Sequence, residues 1–88
     1  MNSIIYHIRG IGLSEKHANL IKFLYESYGS KEIHLSLRKI SKSIGYDFTA
    51  VGKYLKSLES HGLITSGGTD KKRVYKVNVE LLEGLLRG

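Results

Sequence analysis

The stretch Gly45 to Ile64, GYDFTAVGKYLKSLESHGLI, holds one clean helical period between two helix-terminating signals, and its neighbours must pack around it. Asp47 offers a carboxylate to the unpaired N–H groups of a helix start, and Gly62 takes the left-handed backbone that a helix stop needs. Between them Val51, Leu55 and Leu58 recur at i, i+4 and i+7, so they share one buried face. Thr49, Lys53, Lys56 and Ser60 fall on the opposite face, which reads as free of acid. Such an outer face suits a DNA groove, where lysines meet phosphates and short polar side chains reach base edges.

The segment just before it is a second short helix. Ser36 caps it, and Leu37, Ile40 and Ile44 share its inner face. Leu35 is expected to staple onto Ile40 and fix the entry angle. Arg38, Lys39 and Lys42 take the remaining positions, and Gly45 closes the helix. Two capped helices joined by the tight Gly45–Tyr46–Asp47 turn make a helix-turn-helix. Its core would be Leu37, Ile40, Ile44, Val51, Leu55 and Leu58, each burial contributing about 1.5–3 kcal/mol.

Beyond Gly62 the period changes from 3.6 to two. Leu63 and Ile64 open a strand, SGGTDKK carries turn chemistry, and RVYKV returns, which predicts a hairpin with a Gly-Gly tip. Tyr75 and Val77 should face the core, while Lys71, Lys72 and Arg73 crowd the tip. Three adjacent positive charges repel one another unless an anion or water screens them.

The charge distribution agrees. The 88-residue chain has a formal charge of +6 and a sequence pI of about 9.7. From Arg38 to Lys76 stand nine Lys or Arg against three acids, and the flanks cancel to zero. The excess is therefore local, and nucleic acid is the polyanion that such a field attracts. Solubility alone also accounts for a basic composition, but it does not call for this placement.

In the flanks, IIYHI at 4–8 is β-branched and aromatic and runs into RGIG, which predicts a short strand or extended arm. Ser14 caps a helix through Tyr28, with Glu15 in its first turn and Gly29 past its end. Leu20, Ile21, Leu24 and Tyr28 form its inner stripe, and Ala18, Phe23 and Tyr25 widen the apolar surface. KEIHL at 31–35 alternates like a brief strand that pairs with the hairpin. Asn78 caps a last helix whose Leu81, Leu82, Leu85 and Leu86 must dock, because two turns are not stable alone. That helix and the N-terminal arm supply candidate dimer contacts: Ile4, Tyr6, Ile8, Leu82, Leu85 and Leu86.

The order helix, short strand, helix, turn, helix, hairpin, helix, with the run TAVGKYLKSLESHGLI, resembles the winged helix-turn-helix domains of prokaryotic transcriptional regulators. The MarR-like and ArsR-like groups are nearest in style. Their pattern T-V-S-R-x-L-x-x-L-E-x-x-G-L-I is matched by Val51, Leu55, Leu58, Glu59, Gly62, Leu63 and Ile64, and the resemblance spans Ser14 to Val77. It departs at Gly52, where Ser or Thr is usual. The resemblance implies that Thr49, Ala50, Lys53, Lys56 and Ser57 face the major groove or its phosphates. It also implies that Lys71, Lys72 and Arg73 form a wing tip on the flanking backbone. Arg38, Lys39, Lys42 and Tyr46 complete the candidate DNA-binding set. With no Arg on the outward face of this helix, guanine contacts would fall to Lys53 or the wing.

The expected fold is thus α+β and mainly α: one winged helix-turn-helix domain with an arm at 1–13, a three-helix core at 14–62, a wing at 63–77 and a final helix at 78–88. Its expected role is that of a double-stranded-DNA-binding transcriptional regulator, a homodimer in the cytoplasm. The alternatives are a winged-helix protein-interaction module within a larger assembly and a binder of structured RNA.

The absence of cysteine excludes a disulfide framework, a thiolate zinc site and a cysteine nucleophile. No apolar run approaches the ~20 residues that cross a bilayer, and MNSIIYHIRG lacks a signal peptide's long apolar core. His7, His17, His34 and His61 show no paired ligand spacing, so no metal or other cofactor is expected. SGGTDKK lacks P-loop spacing, no serine stands in GxSxG, and no enzyme activity is expected.

Overall fold

The computed structural model describes residues 8–34, 36–69 and 73–87, with the side chain of Leu86 excepted. Its elements are α1 (Glu15–Tyr28), α2 (Leu37–Ile44), α3 (Phe48–Ser60), β1 (Ile64–Gly68), β2 (Arg73–Val77) and α4 (Val79–Arg87).

Each of these four helices begins at a side-chain cap. Ser14 Oγ accepts from the His17 N–H, Ser36 Oγ from the Lys39 N–H at 3.2 Å, and Asp47 Oδ2 from the Thr49 N–H at 3.0 Å and the Ala50 N–H at 3.4 Å. Asn78 Oδ1 accepts from the Leu81 N–H at 3.2 Å. In α1 the reciprocal half of a capping box comes from histidine, because the Ser14 N–H donates to His17 Nδ1 at 3.2 Å.

The end of α3 is a Schellman motif. The Gly62 N–H reaches the Glu59 carbonyl and the Leu63 N–H the Leu58 carbonyl, both at 2.9 Å, with Gly62 at φ +77°. The last helical bond runs from the His61 N–H to the Ser57 carbonyl at 3.1 Å, and Gly62 supplies the left-handed residue that reverses the chain into the wing.

One apolar core runs through the domain. Ala18, Leu20, Ile21 and Leu24 of α1 meet Ile40 of α2 and Val51, Leu55 and Leu58 of α3, with Leu63, Ile64, Tyr75 and Val77 closing it from the hairpin. Leu37 and Ile44 lie at its margin, half-buried. The expected staple residue Leu35 lies outside the described residues.

β1 and β2 pair antiparallel from Ile64–Val77 to Gly68–Arg73. Tyr75 and Val77 face inward as their alternation requires. Gly67 and Gly68 are not the tip. They belong to β1, opposite Val74 and Arg73. The anticipated strand at 31–35 contracts to a single bridge. Ile33, fully buried, exchanges both backbone bonds with Tyr75, at 2.7 and 3.0 Å.

The N-terminal expectation also needs correction. Residues 4–7 lie outside the described residues, but Ile8, Arg9 and Gly10 are helical rather than extended. The Ile8 carbonyl accepts from the N–H groups of Ile11 and Leu13. Ile8 is fully buried in the same core as Leu13, so packing overrides the strand preference of its β-branched side chain.

On the other side α4 docks through Leu82, which is 1% exposed. The Tyr25 hydroxyl donates to Glu83 Oε2 at 3.0 Å, tying α4 to α1 and raising the Tyr25 pKa, because that bond is lost on ionisation. Among the described residues no helix is long and apolar enough to cross a membrane.

Candidate nucleic-acid interface

The outer faces of α2, α3 and β2 enclose an open groove of about 960 Å³. Ser36, Leu37 and Arg38 form the α2 side, and Phe48, Thr49, Gly52, Lys53, Leu55, Lys56 and Glu59 form its floor along α3. Arg73, Val74 and Tyr75 form the wing side, with His34 at the end. The helix-turn-helix and the wing thus share one concave surface, because the Ile33–Tyr75 bridge holds the hairpin beside α3.

Of the candidate DNA-binding residues, Arg38, Thr49, Lys53, Lys56 and Arg73 line this groove. Lys39 and Lys42 are exposed on α2 outside its lining. Ala50 and Ser57 are half-buried on α3, also outside the lining. Lys71 and Lys72 lie outside the described residues.

Tyr46 sits elsewhere, half-buried between the α2–α3 turn and α1. Its hydroxyl accepts from Asn19 Nδ2 at 3.0 Å, Lys16 Nζ lies 5.7 Å from its ring centroid, and its edge meets Tyr54. Tyr54 in turn packs against His17, with ring centroids 4.6 Å apart. This aromatic group ties α3 to α1. Burial, and secondarily the charge of His61, lowers the His17 pKa below its ordinary value.

The face of α3 is not free of acid. Glu59 stands in the groove wall, where its Oε2 accepts from Ser66 Oγ of the wing at 2.6 Å. The reason is rotational: Glu59 is on the flank of the outward face, and the wing closes over that flank. Against this one carboxylate the groove lining presents Arg38, Lys53, Lys56 and Arg73, so the surface remains electropositive.

Phe48 was not singled out from the sequence. It is the first residue of α3, 44% exposed, and Arg38 Cζ lies 5.3 Å from its ring centroid. An apolar residue at an N1 position gives no sequence signal of this kind, since its partner lies across the turn.

Of the candidate dimer residues, Ile8 and Leu82 have their side chains in the core of this chain, and Leu85 is half-buried. Ile4, Tyr6 and the Leu86 side chain lie outside the described residues. Outside the groove, the exposed large apolar side chains among the described residues are Leu81, 39% exposed, and Ile11, 37% exposed. Among the described residues no group of three or more His, Asp or Glu is placed to hold a metal ion.

The fold and groove define a winged helix-turn-helix domain. No family model matches the chain, and no curated protein does. Solved structures do, several of them MarR proteins or transcriptional regulators. MarR from Listeria monocytogenes 4b F2365 superposes with a TM-score of 0.68 at 15% identity, over 99% of this chain and 58% of that one. A mutant form of Staphylococcus aureus MepR, bound to an oligodeoxyribonucleotide, gives a TM-score of 0.72 at 13% identity, over 98% and 64%. A possible transcriptional regulator from Methanosarcina mazei Go1 gives 0.68 at 16% identity, over 98% and 72%. At such identities the likeness establishes the fold. The present chain spans 58–64% of the length of the first two relatives.

Proposed function

We propose that the protein is a double-stranded-DNA-binding transcriptional regulator that lays α3 in the major groove and the wing along the flanking backbone. One observation carries this reading: Arg38, Lys53, Lys56 and Arg73 converge from three elements on one groove whose floor is a helix. A helix of α3's diameter fits the ~12 Å major groove, where the surrounding cations meet phosphates or base edges. The oligonucleotide-bound MepR structure shares the fold and supports the choice of DNA.

Phosphate contacts release counterions, so log affinity should fall linearly with log salt. Lys53→Ala should reduce that slope by about one if Lys53 meets one phosphate. Failure of the wild-type protein to bind any duplex at low salt would falsify the reading.

The proposal includes a homodimer, because a two-fold protein reads a two-fold site most simply. Exposed Leu81 beside half-buried Leu85 on α4 supports a protein contact there. The same observation supports the second reading, a protein-interaction module. Leu81→Glu separates the two: loss of a dimer in sedimentation supports the first, and an unchanged oligomeric state with loss of a heterologous partner supports the second.

A further inference from the structure

Arg38 and Phe48 stand on either side of the helix-turn-helix turn, yet their side chains meet at the mouth of the groove, with the guanidinium carbon 5.3 Å from the ring centroid. Phe48 is 44% exposed, whereas Val51, Leu55 and Leu58 of the same helix are buried, so the ring contributes little to the core. The ring lines the groove together with Arg38. A ring beside Arg38 restricts the guanidinium. An oriented fork suits a bidentate contact, and in the major groove guanine O6 and N7 offer one. The ring edge is itself an apolar surface of the kind that contacts the thymine C5-methyl.

We propose that Arg38 and Phe48 together form the base-reading element of this protein, and that they recognise a thymine next to a guanine in the major groove. The guanidinium and the ring are in contact, so the bases they address are adjacent. Thr49, next on α3 and lining the same groove, completes the contact from the helix side. This assignment rests on the DNA-binding reading. It moves base recognition from the plain outer face of α3, which carries Lys53 and Lys56, to a pair that joins two helices.

The test is selection of bound duplexes from a random pool with the wild-type protein, Arg38→Lys and Phe48→Ala, followed by titration of the selected duplex and an unrelated one at low salt. Melting curves verify that each variant is folded. The wild type should enrich a thymine–guanine step. Uracil in place of that thymine, or 7-deazaguanine in place of that guanine, should each weaken wild-type binding by roughly tenfold, within the range of single base contacts.

Arg38→Lys should lose the 7-deazaguanine effect and Phe48→Ala the uracil effect, while both still bind the unrelated duplex at low salt. Enrichment that survives in both variants, a selected site without the step, or rescue of guanine discrimination by lysine would each overturn the assignment and leave DNA binding standing. Absence of any duplex binding by the wild type would overturn both readings.

Discussion

Gly52 stands inside α3 in the groove wall, with open space around its Cα except for Leu37. A Cβ built there lies 3.8 Å from Leu37 Cδ1, an ordinary van der Waals distance. Gly52→Ala should therefore gain the helix-propensity difference of about 1 kcal/mol without a steric penalty. The added methyl is half-buried against Leu37 and contributes at most roughly half of the ~0.8 kcal/mol of a buried methylene. The expected gain is about 1–1.4 kcal/mol. For a domain of this size that raises Tm by about 4–10 °C, and with a urea m-value near 1 kcal/mol/M it moves the midpoint up by about 1 M.

Thermal and urea unfolding, followed by circular dichroism, measure it directly. An unchanged or lowered midpoint would refute the reasoning, since it would mean that the site does not accept a Cβ. The same variant probes the groove. In the proposed complex the new methyl faces DNA, so affinity should fall by about tenfold, at the low end of what one overpacked methylene costs. A more stable protein with undiminished affinity would remove Gly52 from the contact surface.

Asn78 donates from Nδ2 to the Gly62 carbonyl at 2.9 Å and caps α4 through Oδ1. Asn78→Ala should cost about 2 kcal/mol, from a lost cap and a lost hydrogen bond, and Asn78→Asp about half as much because it keeps the cap. Equal losses in urea melts would contradict that division. The His17 pKa lies below its ordinary 6.5 through burial first and His61 second, so the unfolded chain takes up its proton more readily than the folded one. Stability should be complete above about pH 6.5 and decline as pH falls below it toward the folded pKa. His17→Gln, which preserves a capping-box acceptor, should flatten that decline in pH-dependent melts. Glu59→Gln removes the one acid of the groove lining while leaving an acceptor for Ser66. Duplex affinity at low salt should rise about two- to fivefold, as expected of one partly screened charge worth roughly 1 kcal/mol or less; a fall would place Glu59 among the contacts that bind.

What could be read from the sequence was whatever is decided within one helical turn. Ser14, Ser36, Asp47 and Asn78 cap the helices where their side chains lead one to expect, and Gly29 and Gly45 follow the helices they end. The alternation of RVYKV fixed which side of β2 is buried. What escaped depends on distant packing. Ile8 is helical because its side chain fills the core, Ile33 pairs through one bridge because Tyr75 passes there, and Gly67 and Gly68 extend a strand although their composition signals a turn. The same holds for the groove. Lys53 and Lys56 follow from periodicity, but the Arg38–Phe48 pair and the Glu59–Ser66 bond join separate elements. His17 as a capping-box partner was missed because Glu or Gln is the usual residue there.

The wing is fastened at its base three times over. The Asn78 N–H reaches the Leu63 carbonyl at 2.8 Å, its side-chain amide reaches the Gly62 carbonyl, and Tyr75 is held by Ile33. The outer end, by contrast, runs through Gly67 and Gly68, which have no side chains to engage the opposite strand. Wing length is therefore a nearly independent variable of this architecture. Residues inserted beyond Gly68 lengthen a loop whose ends are already joined, at only ~0.6 kcal/mol for each doubling. In the proposed complex, a chain of this design can change how far along a duplex its wing extends without altering the helices beneath it.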